Sequence, residues 1–135
     1  MSKKAIVVDD VPFARRVISD ILRGAGYQVV AEAGDGDEAL EAYKKHSPDF
    51  MTMDIVMPNR NGIEACRKII ESNADAKIII ISAMTHEQLL MDAINAGARD
   101  YILKPFAAHD LLRSVQKLFV DEDADYADEG QAHGA

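Results

Sequence analysis

The stretch DFMTMDIVMPNRNG (residues 49–62) decides how this chain is read. Its core, FMTM, is a short run of Phe, Met and Thr without a charge, which suits a strand covered on both faces of a sheet. The run stops at one carboxylate, Asp54. A loop punctuated by Pro58 and Gly62 follows, then a helical pattern of Ile63, Cys66, Ile69 and Ile70. An apolar strand that ends in a lone aspartate asks for a role for that aspartate.

The same punctuation recurs on either side. AIVV (5–8), VVAEA (29–33), IIII (78–81) and YIL (101–103) are further short apolar runs expected to be strands buried on both faces. Helical patterns alternate with them. Phe13, Val17, Ile21 and Ala25 recur at four-residue spacing, with Pro12 near the start and Gly24 and Gly26 at the end. Ala39, Leu40 and Tyr43 mark a second helix. Leu89, Leu90, Ala93 and Ile94 mark a fourth, closed by Gly97, and Leu111, Leu112, Val115 and Leu118 a fifth. The pattern predicts an α/β fold, (βα)5, with a doubly wound parallel five-stranded sheet and right-handed crossovers.

In a parallel sheet every strand points its C-terminal end to one rim. The residues after four of the five runs are Asp9 and Asp10, Asp54, Ser82 and Lys104, so two strand-end acids, a third, a hydroxyl and a lysine gather there. Ligands of open α/β sheets bind at that rim, where the strand order reverses. Three carboxylates repel one another; Lys104 offsets one charge and a hard divalent cation suits the rest. Oxygen-only donors in an incomplete cage fit Mg²⁺, which keeps waters and accepts phosphate oxygens. Each residue alone also reads as an ordinary solvated strand end. Asp9 and Asp10, or Ser82, would serve as helix caps and Lys104–Pro105 as a turn. The set together is what points to chemistry.

Composition bounds the rest. At 135 residues the chain is one domain, and with 48% hydrophobic and 28% charged residues it is ordinary for a globular protein. No apolar run approaches the ~20 residues of a membrane span, and no secretory signal pattern opens the chain. The single cysteine, Cys66, excludes an internal disulfide, reads as a core residue and fits a reducing cytoplasm. Of 23 acids, six lie in the last fifteen residues, leaving 17 acids against 15 bases in residues 1–120. A domain over 1–120 with a flexible acidic tail over 121–135 is therefore expected.

The motifs VVDD, TMDIVMP followed by NG, IISA and YILKPF resemble the receiver domain of two-component response regulators, over residues 4–119. The pattern VDDVPFAR, TMDIVMPNRNGIEA and ISAM is most similar to stand-alone chemotaxis regulators of the CheY type, with a flavodoxin-like fold. The strand order 2-1-3-4-5 comes with that resemblance, CheY being a standard example of the order. The resemblance implies that Asp54 is the phospho-acceptor and that Asp10 and Asp54 ligate Mg²⁺ directly. Asp9 would act mainly through water, and the backbone carbonyl of Val56 would be a further ligand. Lys104 would pair with the phosphoryl oxygens and Ser82 would hydrogen-bond one of them. Tyr101 would be the aromatic switch, with the small Ala83 permitting its rotation, and Lys104–Pro105 a cis peptide.

The implied donor is a phosphohistidine on a CheA-like histidine kinase. The implied targets are a flagellar motor switch protein or a receptor kinase complex, with a phosphatase as a further candidate partner. Autophosphorylation from small donors and autodephosphorylation would be intrinsic, so the chain is a signalling protein and not an enzyme in the usual sense. The alternative within the family is a phosphorelay intermediate or a stand-alone receiver outside chemotaxis. Apolar Val56 and Met84 would flank the approach to the site. His86 reads as an exposed helix residue, and His46, His109 and His133 lack ligand-like spacing.

Rival classes fit less well. An aspartyl phosphatase would want a second acid at position 56, where Val stands. A nucleotide or flavin binder would want a glycine-rich first loop, and DDVPFAR is not one. A receiver that had lost phosphorylation would have lost the acids or the lysine. No basic patch follows residue 120, so the expected output is protein binding, without nucleic acid or membrane insertion.

Overall fold

The computed structural model of the chain describes residues 2–120, so the acidic tail and His133 lie outside the described residues. Five strands alternate with five helices: β1 (Lys4–Val8), α1 (Pro12–Gly24), β2 (Gln28–Ala33), α2 (Gly36–His46) and β3 (Phe50–Met53), then α3 (Gly62–Ser72), β4 (Ile78–Ser82), α4 (Glu87–Asn95), β5 (Asp100–Leu103) and α5 (Ala108–Leu118). All strand pairs are parallel, and the order is β2-β1-β3-β4-β5. The chain therefore adopts the doubly wound CheY-like flavodoxin fold. Its order reverses between β1 and β3, which places a crevice at their C-terminal ends. Among the described residues no helix is long and apolar enough to cross a membrane.

The strand period of two sorts the core into two layers. Ile6, Val8, Met51, Met53, Ile78 and Ile80 face α2, α3 and α4 and pack with Ala39, Ile63, Cys66, Ile69 and Ala93. Ala5, Val7, Phe50, Ile79, Ile81 and Ile102 face the other way, onto Ile18 and Leu22 of α1 and Leu111, Val115 and Leu118 of α5. Each wholly buried large aliphatic contributes roughly 1.5–3 kcal/mol relative to exposure. Burial raises the Cys66 thiol to about 12, so it stays neutral as a core residue.

Burial on both faces holds for β1 beyond Lys4, for β3 and for β4, but not for β2 and β5. These are the two edges of the sheet, where one side has no neighbouring strand. The expected apolar row of α1 is also corrected. Phe13 is 77% exposed and Val17 faces solvent, whereas Ile18 and Leu22 are buried. A four-residue spacing drifts around a 3.6-residue helix, so adjacent rows look alike in sequence. The inward row is the one whose Ile18 and Leu22 pack on Ala5, Val7 and the α5 residues, and at the head of the helix Arg15 donates from Nη1 to the Asp9 carbonyl (2.8 Å). In α4, Leu89 and Ala93 pack inward but Leu90 and Ile94 are exposed with Met91.

Candidate functional site

Sheet hydrogen bonds run one residue past the strands and hold the rim residues. The Asp9 amide donates to the Ala33 carbonyl (3.0 Å), the Asp54 amide to the Val8 carbonyl (3.0 Å) and the Lys104 amide to the Ser82 carbonyl (2.9 Å). Asp9 is wholly buried and Asp54 is 8% exposed, while Asp10 stands in solvent. One carboxylate oxygen from each of Asp9, Asp10 and Asp54 lies within 4.8 Å of the other two.

The ammonium of Lys104 sits between two of these acids. Its Nζ donates to Asp9 Oδ2 at 2.7 Å and to Asp54 Oδ2 at 2.9 Å. The remaining oxygens accept backbone donors: Asp9 Oδ1 from the Val11 amide (2.9 Å) and Asp54 Oδ1 from the Ile55 amide (2.7 Å). Burial alone would lower the ammonium, but the two carboxylates outweigh it and hold Lys104 above its ordinary value. A fully ionised lysine is thus shared by two acids that one cation only partly neutralises.

The donor set fits Mg²⁺ on its chemistry: three carboxylates, no nitrogen or sulfur, and one acid open to solvent where waters complete the shell. Gly62 lets the loop after Asp54 close. A Cβ there would lie 1.8 Å from the Asp54 carbonyl oxygen, and the Gly62 amide donates to the Ile55 carbonyl (2.8 Å). Asn61 caps α3 by accepting from the Glu64 amide (2.9 Å). Val56, on this loop, is 59% exposed.

On the β4–β5 side, Ser82 is buried as the last residue of its strand, one position later than the run IIII alone implied. Its Oγ accepts from the Met84 amide (3.2 Å). Ala83 is exposed, and Met84 is half-buried. Tyr101 donates its hydroxyl to the Met84 carbonyl (2.7 Å), so the ring is tied to the loop that follows Ser82. Burial and the Asp54 charge raise the Tyr101 phenol, with Ser82 working against them. Lys104–Pro105 is cis. His86 is exposed but lies at the N-cap of α4, just outside the helix. His46 ends α2 and His109 lies in the first turn of α5.

The structure thus brings Asp9, Asp10, Asp54 and Lys104 into one cluster and sets Ser82 and Tyr101 beside a common loop. Several supporting residues escaped the sequence reading. Arg15 braces the Asp9 backbone and pairs with Glu32 (3.1 Å). Asn59 donates to Asp35 (2.7 Å), and Arg60 pairs with Asp37 (2.9 Å) and Glu64 (3.1 Å). Only the Arg60–Glu64 spacing, one helical turn, was open to a sequence argument.

Known proteins place this geometry in a family. The response regulator receiver domain matches residues 5–116. Chemotaxis protein CheY of Bacillus subtilis (strain 168) is 48% identical over 117 residues, spanning 87% of this chain and 98% of that protein. CheY of Thermotoga maritima is 44% identical over 118 residues, with the same two shares. Among solved structures, the CheX–CheY–BeF3–Mg²⁺ complex from Borrelia burgdorferi has a TM-score of 0.84 at 34% identity, covering 87% of this chain and 89% of that one. The CheY-like receiver domain protein of Methanospirillum hungatei JF-1 reaches 0.86 at 25% identity, covering 93% and 99%. Fold, strand-end acids and sequence agree that this chain belongs to the response regulator receiver domain family.

Proposed function

We propose that the chain is a phosphorylation-activated regulator of chemotaxis, taking a phosphoryl group onto Asp54 from a phosphohistidine on a CheA-like kinase. The observation that carries this reading is the Lys104 ammonium shared by Asp9 and Asp54, which is already positioned to meet negative oxygens at Asp54. An Asp54 carboxylate oxygen attacks phosphorus, the P–N bond breaks, and its electron pair returns to the imidazole. Such a transfer needs in-line positioning and charge neutralisation more than covalent help from the protein. Mg²⁺, when held by Asp10, Asp54, a water on Asp9 and the Val56 carbonyl, supplies the other half of that neutralisation. The Mg²⁺ in the Borrelia CheY complex supports this assignment. Small donors such as acetyl phosphate load the same residue, and water unloads it.

Signalling follows from the charge added at Asp54. Ser82 turns its hydroxyl to a phosphoryl oxygen and releases the Met84 amide. The loop whose Met84 carbonyl holds Tyr101 then shifts, and the exposed Ala83 leaves room for it. Tyr101 borders Leu90 and Leu103 of α4 and β5, and with Met91 and Ile94 these form an exposed apolar face. That face is the output surface, read by a motor switch protein in the cytoplasm. The CheX in the Borrelia complex supports control by a partner as well.

The test has two arms. Acetyl phosphate and Mg²⁺ should label the wild type and leave Asp54→Asn unlabelled; persistent labelling of that variant sinks the acceptor assignment. Purified motor switch protein should bind the phosphorylated form more tightly than the unphosphorylated one. Equal binding moves the output outside motor control.

A further inference from the structure

The loop between Asp54 and α3 is fastened from outside by the head of α2, on the far side of the acid rim from Lys104. Asn59 takes the left-handed conformation (φ 65°), which asparagine tolerates better than most residues, and its Nδ2 donates to Asp35 Oδ2 at 2.7 Å. Asp35 is doubly used, since Oδ1 caps α2 by accepting from the Glu38 amide at 2.8 Å. Next to it, Arg60 Nε donates to Asp37 Oδ1 at 2.9 Å, and Nη1 reaches Glu64 at 3.1 Å. The backbones also touch. A Cβ on Gly36 would stand 2.2 Å from the Arg60 carbonyl oxygen, so only glycine lets the two loops approach this closely.

The inner end of the same loop is pinned as well, by the Gly62 amide on the Ile55 carbonyl. Residues 56–58 therefore form a short arch with both feet held, and Val56 stands on it. We propose that Asn59 and Arg60, clasped to Asp35 and Asp37, are positioning residues for the metal: they hold the arch so that the Val56 carbonyl is preset as a ligand. The proposal rests on the reading of the acid rim as a Mg²⁺ site. A ligand held in place before binding loses less freedom when the ion arrives. Exposed ion pairs add little to global stability, so the clasp acts on the arch far more than on the fold.

The experiment is calorimetric titration of Mg²⁺ into the metal-free protein, for the wild type, Asn59→Asp, Arg60→Ala, Arg60→Lys and, as a control, Asp10→Asn. Asn59→Asp keeps the tolerance of the left-handed conformation but sets a like charge against Asp35. Asn59→Asp and Arg60→Ala should each weaken Mg²⁺ binding about 3- to 10-fold, near the lower end of what lost supporting contacts cost a metal site. Arg60→Lys, which still reaches a carboxylate, should return binding to within roughly 2-fold of wild type.

Two further readouts separate positioning from general damage. In the metal-free clasp variants, the Gly62 amide should exchange hydrogen faster, while the melting temperature moves by no more than about 2 °C. In labelling by acetyl phosphate, the Mg²⁺ concentration for half-maximal rate should rise by the same factor as the dissociation constant, with the saturated rate unchanged. Wild-type affinity in Asn59→Asp and Arg60→Ala, with Asp10→Asn weakened, overturns the clasp and leaves the metal site standing. Absence of Mg²⁺ binding to the wild type overturns the metal reading and the clasp with it.

Discussion

Removing the charge of Asp10 should stabilise the metal-free protein. Oxygens of Asp9, Asp10 and Asp54 come within 4.8 Å of one another. At that distance two unit charges repel by about 1 kcal/mol under bulk-water screening and about 3–4 kcal/mol at an effective dielectric of 20. Asp10 stands in solvent, so the lower figure applies to each of its two acidic neighbours. Lys104, bonded to both of those neighbours, cancels about half of the repulsion. A net release of about 1 kcal/mol remains, which moves the melting temperature of a domain this size by roughly 3–5 °C. Asp54→Ala also removes repulsion, but it strips Lys104 of a 2.9 Å partner and leaves the Ile55 amide without its acceptor. Its gain should therefore be the smaller of the two. The assay is thermal unfolding followed by circular dichroism, in EDTA and in 10-fold excess of Mg²⁺ over its dissociation constant. Mg²⁺ should stabilise the wild type by about 1.4 kcal/mol through mass action and both variants less, so the gap narrows. Melting of Asp10→Asn below wild type in EDTA, or an equal Mg²⁺ shift in all three proteins, would refute a strained acidic metal site.

Other expectations concern the scaffold around the site. Gly62→Ala forces a Cβ to 1.8 Å from the Asp54 carbonyl oxygen and should destabilise by about 2–4 kcal/mol in urea unfolding; a loss below about 1 kcal/mol would show that the loop has room to shift. Thr52→Val should raise stability by about 1 kcal/mol, because the buried Thr52 hydroxyl has no hydrogen-bond partner among the described residues; a lower urea midpoint would point to a partner. Lys104 is held above its ordinary value of 10.5, so its contribution is present below that pH and is lost as pH rises through the folded-state value. The stability difference between wild type and Lys104→Met should therefore stay level from pH 7 to 10 and shrink above it. A difference that shrinks below pH 9 contradicts the ion-pair geometry.

Local periodicity made much of this protein legible before any coordinates. Five apolar runs and five helical patterns name the (βα)5 fold, because strand and helix periods are set within a few residues by the backbone itself. The strand ends mark Asp9, Asp54, Ser82 and Lys104 for the same reason: in a parallel sheet, direction alone sends them to one rim. The resemblance supplied the strand order, which no periodicity contains. Tertiary structure decided what depends on one element meeting another. VVAEA reads like a core strand yet is an edge, since edge position is a property of the sheet. Which row of α1 faces inward was settled by where Ile18 and Leu22 meet the sheet and α5, a packing that spacing alone does not contain. Asn59 and Arg60 find Asp35 and Asp37 across 24 and 23 residues. Such pairs leave no local trace, because polar side chains on exposed loops satisfy many neighbours equally well. Only the crossing of β2 to the far side of β1, which brings the head of α2 against the loop after β3, selects the ones that form.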